Sequence, residues 1–208
     1  MNLFITANNT DMGKTYTTLK LIKSLSKKYR VGVFKPIETG VKEYPLDGYK
    51  LLESAKKVNP NFNDITLEDV VPIQFELPAA PIVCGEVDFK KIDKAYKKLK
   101  KRCDILLIEG AGGIAVPISQ NFIMKDFIDY FNAKSFLIIG GKLGCINDLT
   151  LNLNFFTPDI WAINILEKSF FETTYPYLKQ KYKNPLLIQK NLDKIVKNIG
   201  DLKWKKKK

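Results

Sequence analysis

A chain of 208 residues, 45% apolar and 27% charged, with 12 Gly and 10 Pro, has ordinary globular composition and length enough for one hydrophobic core. Three cysteines without a C-x-x-C pair suggest neither a disulfide framework nor a thiolate zinc site, and the lack of any histidine removes Ser/His and Cys/His nucleophile pairs, imidazole bases and imidazole metal ligands together. The net charge of +12 raises the question of a polyanionic partner, whereas no apolar run approaches the roughly eighteen residues of a membrane span and Met1 leads straight into LFITA without a basic leader, which points to the cytoplasm.

In chain order the expected strands are 3–7, 31–37, 104–109, 135–140, 159–166 and 185–189. The expected helices fall near 14–28, 48–58, 89–102, 124–131, 148–155, 172–182 and 192–198. The strands are nearly continuous apolar runs, as in LFITA and DILLIE, and helical stretches separate most of them. That alternation implies an α/β fold, a parallel sheet with helices on both faces, in a single domain. Ligands of such sheets bind beyond the carboxyl ends of the strands. The stretch 72–81 has linker spacing but is too apolar to be disordered, so the domain is expected to span 1–202, followed by a basic tail, 203–208. Between Asp88 and Cys103 the apolar residues Phe89, Ile92, Tyr96, Leu99 and Cys103 recur at helical spacing with lysines between them. The positive charge therefore reads as solvated helix backs and a tail, with no nucleic-acid or membrane partner.

Residues 7–15, ANNTDMGKT, follow the first strand and open the first helix. Gly13-Lys14-Thr15 is the end of a phosphate-binding loop: glycine lets backbone amides approach phosphate oxygens, Lys14 reaches the β- and γ-phosphates, and the Thr15 hydroxyl can ligate Mg²⁺. The strict G-x-x-x-x-G-K-[ST] pattern fails, because its first glycine falls at Asn8, yet the strand-loop-helix context is present. Magnesium needs further oxygen ligands, and Glu109, ending DILLIE and followed by three glycines in four residues, is the best placed. Asp11 and Asp47 are weaker candidates. Lys35 ends the second strand in FKPIETG, where burying an ammonium is costly unless it meets an anion. Gly144, Cys145, Ile146 and Asn147 precede a helix and offer backbone amides at its positive end, a seat for a carboxylate; the Cys145 thiol reads as packing.

Together ANNTDMGKT, FKPIETG, the P-x-x-F-x-x-P-x-x-P run from Pro72 to Pro81, IEGAGG and GKLGCIN resemble, in order and interval, the dethiobiotin synthetases, over about residues 1–166. The resemblance implies an ATP- and Mg²⁺-dependent ligase of biotin synthesis that joins CO2 to the vicinal diamine diaminopelargonate and closes a cyclic urea. It implies a nucleotide site at Thr10, Asp11, Met12, Gly13, Lys14 and Thr15, with Lys14 and Lys35 flanking the carbamate and γ-phosphate and Asp11 attracting or deprotonating an amine. Thr15, Asp47 and Glu109 would hold Mg²⁺. Thr10, Lys35, Thr39 and Gly112 would line the diamine. Gly144 to Asn147 would grip the carboxylate of substrate bound to the other subunit of a homodimer, and Asn164 would recognise adenine. No histidine is needed, because the amine is itself the nucleophile.

There are departures. Ala7 stands where the family has glycine, which requires a negative φ there. After Asn164, ILEKSFF and PLLIQKN replace a proline-bearing segment and a G-E-I-P motif. Two other classes share features with this chain. A partitioning-type ATPase regulator carries an extra lysine in its phosphate loop, where this chain has Asn9. A basic nucleic-acid-binding protein would gather its lysines on one face and bind with steep salt dependence.

Overall fold

Both sides of LFITA are apolar, and the segment is buried on both faces as β1 (Asn2–Ala7), the middle strand of a five-stranded parallel sheet. The structure, a computed structural model, describes residues 1–204, with the side chains of residues 203 and 204 excepted. In chain order β1 is followed by α1 (Lys14–Leu25), β2 (Val31–Phe34), β3 (Ile37–Thr39), α2 (Leu46–Lys56), α3 (Leu67–Val70), β4 (Ile73–Phe75), α4 (Pro81–Cys84), α5 (Phe89–Lys100) and β5 (Ile105–Glu109). Next come β6 (Pro117–Ser119), β7 (Phe122–Ile123), α6 (Phe127–Tyr130), β8 (Lys134–Gly141), α7 (Cys145–Phe155) and β9 (Ile160–Ile165). The helices α8 (Phe170–Thr173), α9 (Tyr175–Tyr182) and α10 (Leu192–Trp204) complete it.

The strand order is β2-β5-β1-β8-β9, with every neighbouring pair parallel. Ile5 lies opposite Glu109 and Ala7 opposite Ile138, so β1, β5 and β8 end side by side where the chain switches from one side of β1 to the other. That switch point is the crevice in which open α/β sheets hold ligands. Alternate residues face opposite layers. Phe4 and Phe34 meet the aromatic cluster of Tyr96 from α5, Phe127 from α6 and Phe131 just beyond α6, and Leu137 and Ile139 pack with Cys145 and Leu149 of α7. The opposite face is covered by α1 and α10, which touch each other. In α5, Ile92, Ala95 and Leu99 are buried, the stripe expected beneath its lysines. No helix among the described residues is long and apolar enough to cross a membrane.

Several boundaries moved. The run expected over 31–37 leaves the sheet after Phe34, because the Lys35 amide donates to the Val70 carbonyl and Pro36 has no amide to give. Ile37–Thr39 instead pairs in parallel with Ile73–Phe75 as a separate two-stranded ribbon, so the expected linker 72–81 begins with a strand. The hairpin of β6 and β7 was not expected at all. Residues 185–189 are not a full strand: they reach β9 through a single bridge, Leu187 to Ile163. Helix α7 starts at Cys145, three residues earlier than expected, and α10 runs on through Trp204 into the expected tail, which from residue 205 lies outside the described residues.

Candidate active site

The loop between β1 and α1 is anchored at its first residue. Asn8 donates from its amide to the Ile138 carbonyl, accepts from the Gly140 amide at Oδ1, and donates from Nδ2 to Asp148 Oδ2 at 2.8 Å. The loop then winds back through left-handed φ values at Asp11 (59°) and Gly13 (85°). At Gly13 a Cβ would stand 2.1 Å from Asn164 Nδ2, so glycine is required both by φ and by space. Ala7 is absent from the positive-φ residues and ends β1 in extended backbone, which is why alanine is accepted there.

Lys14 lies folded across its own loop, with Nζ donating to the carbonyls of Asn9 (3.0 Å) and Gly112 (2.8 Å). Burial, and then the charge of Lys35, lowers its pKa to about 8. Facing it, Glu109 ends β5 with 0% exposure. Its carboxylate accepts from Thr15 Oγ1 (2.8 Å), Thr18 Oγ1 (2.7 Å) and Lys35 Nζ (2.9 Å). Burial alone would raise the Glu109 pKa, but the Lys35 charge and these hydrogen bonds hold it below the usual carboxylate range. For Lys35, burial is outweighed by Glu109, Asp47 and Glu38, and its pKa is raised. Asp47 approaches Lys35 Nζ at 3.9 Å from the first turn of α2.

Two residues to which no sequence motif gives a role, Glu38 and Thr18, support this arrangement. Glu38, on β3, accepts from the amides of Asp47 (3.0 Å) and Gly48 (2.9 Å), so it caps α2 from outside and fixes where Asp47 stands. Burial raises its pKa, an effect Lys35 partly offsets. Thr18, one helical turn beyond Lys14, takes the second Glu109 oxygen. Both occur inside or next to motifs already singled out; their roles depend on contacts between remote segments.

A cleft of about 340 Å³ gathers Thr10, Asp11, Gly13, Lys14 and Thr15 from the loop with Lys35, Thr39, Asp47 and Gly112. A more apolar hollow of about 290 Å³ adjoins it, sharing Thr10, Thr39 and Gly112 and walled by Pro78, Pro81 and Val116. Gly144, Cys145, Ile146 and Asn147 line neither. Gly144, with φ of 92°, caps α7, and the other three form its first turn. The Cys145 amide donates to the Lys142 carbonyl, and burial pushes its thiol up to about 12, leaving an unreactive packing group. Asn164 is likewise outside the cleft. It is 4% exposed and donates from Nδ2 to the Met12 carbonyl (3.1 Å), while Gln189 Nε2 donates to its Oδ1 (2.7 Å).

Oxygen groups gather here: the Thr15 hydroxyl and the Asp47 carboxylate line the cleft, and Glu109, buried behind it, accepts from Thr15 Oγ1. That set suits Mg²⁺, which usually takes one or two carboxylates and completes its shell with phosphate and water. A parallel sheet of this order, a glycine-lysine-threonine loop between its central strand and first helix, and a carboxylate closing the adjacent strand define a P-loop nucleotide-binding protein.

The sequence comparisons narrow that class. A family model described as an AAA domain matches residues 1–189. The chain is 46% identical over 187 residues to the ATP-dependent dethiobiotin synthetase BioD of Sulfurovum sp. (strain NBC37-1), covering 85% of this chain and 89% of that protein. To the protein of the same name from Wolinella succinogenes it is 31% identical over 210 residues, covering 95% and 97%. The chain belongs to the ATP-dependent dethiobiotin synthetases, a ligase family of biotin biosynthesis. The similarity extends past Asn164, where it was expected to fade. Among solved structures, a plasmid partition protein from Borrelia burgdorferi superposes with a TM-score of 0.54 at 13% identity, over 97% of this chain and 96% of that one, and shares the fold alone.

Proposed function

We propose that the cleft binds ATP and Mg²⁺ beside diaminopelargonate and CO2 and converts them to dethiobiotin. The observation that carries this reading is the convergence of two buried ammonium groups, Lys14 from the loop and Lys35 from the end of β2, on one cleft over a buried carboxylate. An amine nitrogen of the substrate attacks CO2 and loses a proton, giving a carbamate. A carbamate oxygen then attacks the γ-phosphorus and ADP leaves. The second amine attacks the carbonyl carbon and gives up a proton, which the departing phosphate takes, and the ring closes.

The protein's part in this is placement and charge. Lys14 leaves the carbonyls of Asn9 and Gly112 to meet the β- and γ-phosphates, while Lys35, held on Glu109, faces the carbamate oxygens as negative charge passes between them. Asp11, exposed at the rim, attracts an ammonium or accepts the amine proton. Thr10, Thr39 and Gly112 belong to both hollows, so the diamine lies at their junction and its alkyl chain along Pro78, Pro81 and Val116. Mg²⁺ would be held by Thr15, Asp47 and Glu109 and would neutralise phosphate charge. The substrate carboxylate is received by the first turn of α7 of a second copy, in a homodimer. Leu143 (82% exposed), Leu151 (59%) and Phe155 (46%) flank that turn and continue along α7, an apolar face that a second copy would cover.

Phosphate release from ATP, measured with and without diaminopelargonate and bicarbonate, tests the reading. Release that requires both is the expected result. Equal release without the diamine would instead indicate a regulatory ATPase.

A further inference from the structure

The strict phosphate-loop pattern opens on glycine, and in that place Asn8 carries a side chain whose two polar ends are both engaged. Its oxygen accepts from the Gly140 amide of β8 at 3.2 Å, and its nitrogen donates to Asp148 Oδ2 on α7 at 2.8 Å. The carboxamide cannot reverse, because only its nitrogen can donate to a carboxylate. Asp148 is a stationary partner. Its amide donates to the Gly144 carbonyl and its own carbonyl accepts from Asn152 Nδ2 at 2.8 Å, so it is built into the start of α7 on both sides.

Neither Asn8 nor Asp148 lines the cleft or the hollow beside it. The loop they secure contains Asp11 at a φ of 59°, a left-handed conformation that a residue other than glycine keeps only where its surroundings impose it. In the structure Lys14 is one of those constraints, since its Nζ joins the carbonyls of Asn9 and Gly112. When Lys14 turns to phosphate, that link opens. The bond from Asn8 to Asp148 lies outside the cleft and stays closed when nucleotide enters.

We propose that Asp148 is a positioning residue for nucleotide binding: through Asn8 it keeps the start of the phosphate loop in place once Lys14 has released Asn9 and Gly112. Its contribution is therefore larger in the nucleotide-bound chain than in the free one. The inference rests on the cleft being the triphosphate site. The affinity for ATP with Mg²⁺, without diaminopelargonate, is to be measured by calorimetry on the full chain. The variants are Asp148→Ala, Asp148→Asn, which keeps an oxygen acceptor for Asn8, Asn8→Ala, and the pair Asn8→Ala with Asp148→Ala. Thermal unfolding with and without nucleotide reports on each of them.

Asp148→Ala should lose about tenfold in ATP affinity, the scale of one hydrogen bond to a charged group, while the free chain unfolds at nearly its usual temperature and the rise brought by ATP shrinks. Asp148→Asn should bind ATP nearly as the unmodified chain does. The paired variant should lose no more than Asn8→Ala alone, because the two substitutions remove the same bond. Losses that multiply in the pair would show that Asp148 does not act through Asn8, and would overturn the proposal. So would an Asp148→Ala chain that fails to fold, or one that unfolds earlier yet binds ATP with unchanged affinity; either assigns the bond to the fold. An unmodified chain that does not bind ATP would overturn the triphosphate reading instead, and the inference with it.

Discussion

Glu109 is fully buried, charged and shared among three donors, so the groups around it are not interchangeable. Removing Lys35 leaves a carboxylate without a countercharge in the core, and breaking such a pair typically costs about 3–5 kcal/mol. Lys35→Ala should therefore lower the urea midpoint strongly as well as abolish turnover. Adding Glu109→Gln should recover most of the stability and none of the activity; an unstable double variant would mean that Lys35 supports the fold by packing rather than charge. Lys14 behaves differently, since its partners are neutral carbonyls. Its pKa of about 8, lowered first by burial and then by Lys35, means that it is charged below pH 8 and neutral above. Below pH 8 kcat/KM for ATP should be flat in this group. Above it the value should fall about tenfold per pH unit, while kcat breaks at higher pH because bound triphosphate retains the proton. A kcat/KM profile flat to pH 10 would show that Lys14 charge is not used in binding. Lys14, Thr15, Lys35 and Glu109 were legible in the sequence because each stands at a loop or strand end beside a glycine or proline signal. Glu38 and Gln189 were not: one acts on a helix nine residues on and the other on a strand twenty-five residues back, and no local pattern marks such contacts.

Helix α2 begins with Pro45 at its cap position and no capping side chain of its own; Glu38 supplies the acceptor from a neighbouring element. Glu38→Ala should cost about 1–2 kcal/mol, the usual worth of a lost cap. It should also raise the Mg²⁺ concentration for half-maximal phosphate release, because Asp47 rides on the same turn. Unchanged Mg²⁺ dependence together with the loss of stability would detach Asp47 from the metal. The long apolar runs and the buried helical stripes were readable because period alone decides them. The three-residue strands β3 and β4 were not, since each is shorter than any period and exists by pairing with the other across more than thirty residues. Helix α7 gained its early start from Gly144, whose left-handed φ closes the loop, a geometry that the sequence GKLGCIN marks only as a glycine.

At the scale of the molecule, the homodimer proposed above would make each site from two chains. A Lys14→Ala chain mixed with an Asn147→Trp chain should regain one working site per heterodimer, although each homodimer is inactive. Heterodimers that form without recovering activity would place the whole site within one chain. The order of the sheet has a consequence for synthesis. The central strand, β1, emerges first, yet its two neighbours are β5, ending at Glu109, and β8, ending at Gly141. At translation rates of about 5–20 residues per second, LFITA waits on the order of ten seconds for its second partner, with an apolar edge unpaired. The nascent chain passes through a stage in which an apolar strand that later forms the middle of the sheet stands with an open edge, so chaperone demand in the cell should be set by the interval between β1 and β8 rather than by the stability of the finished fold.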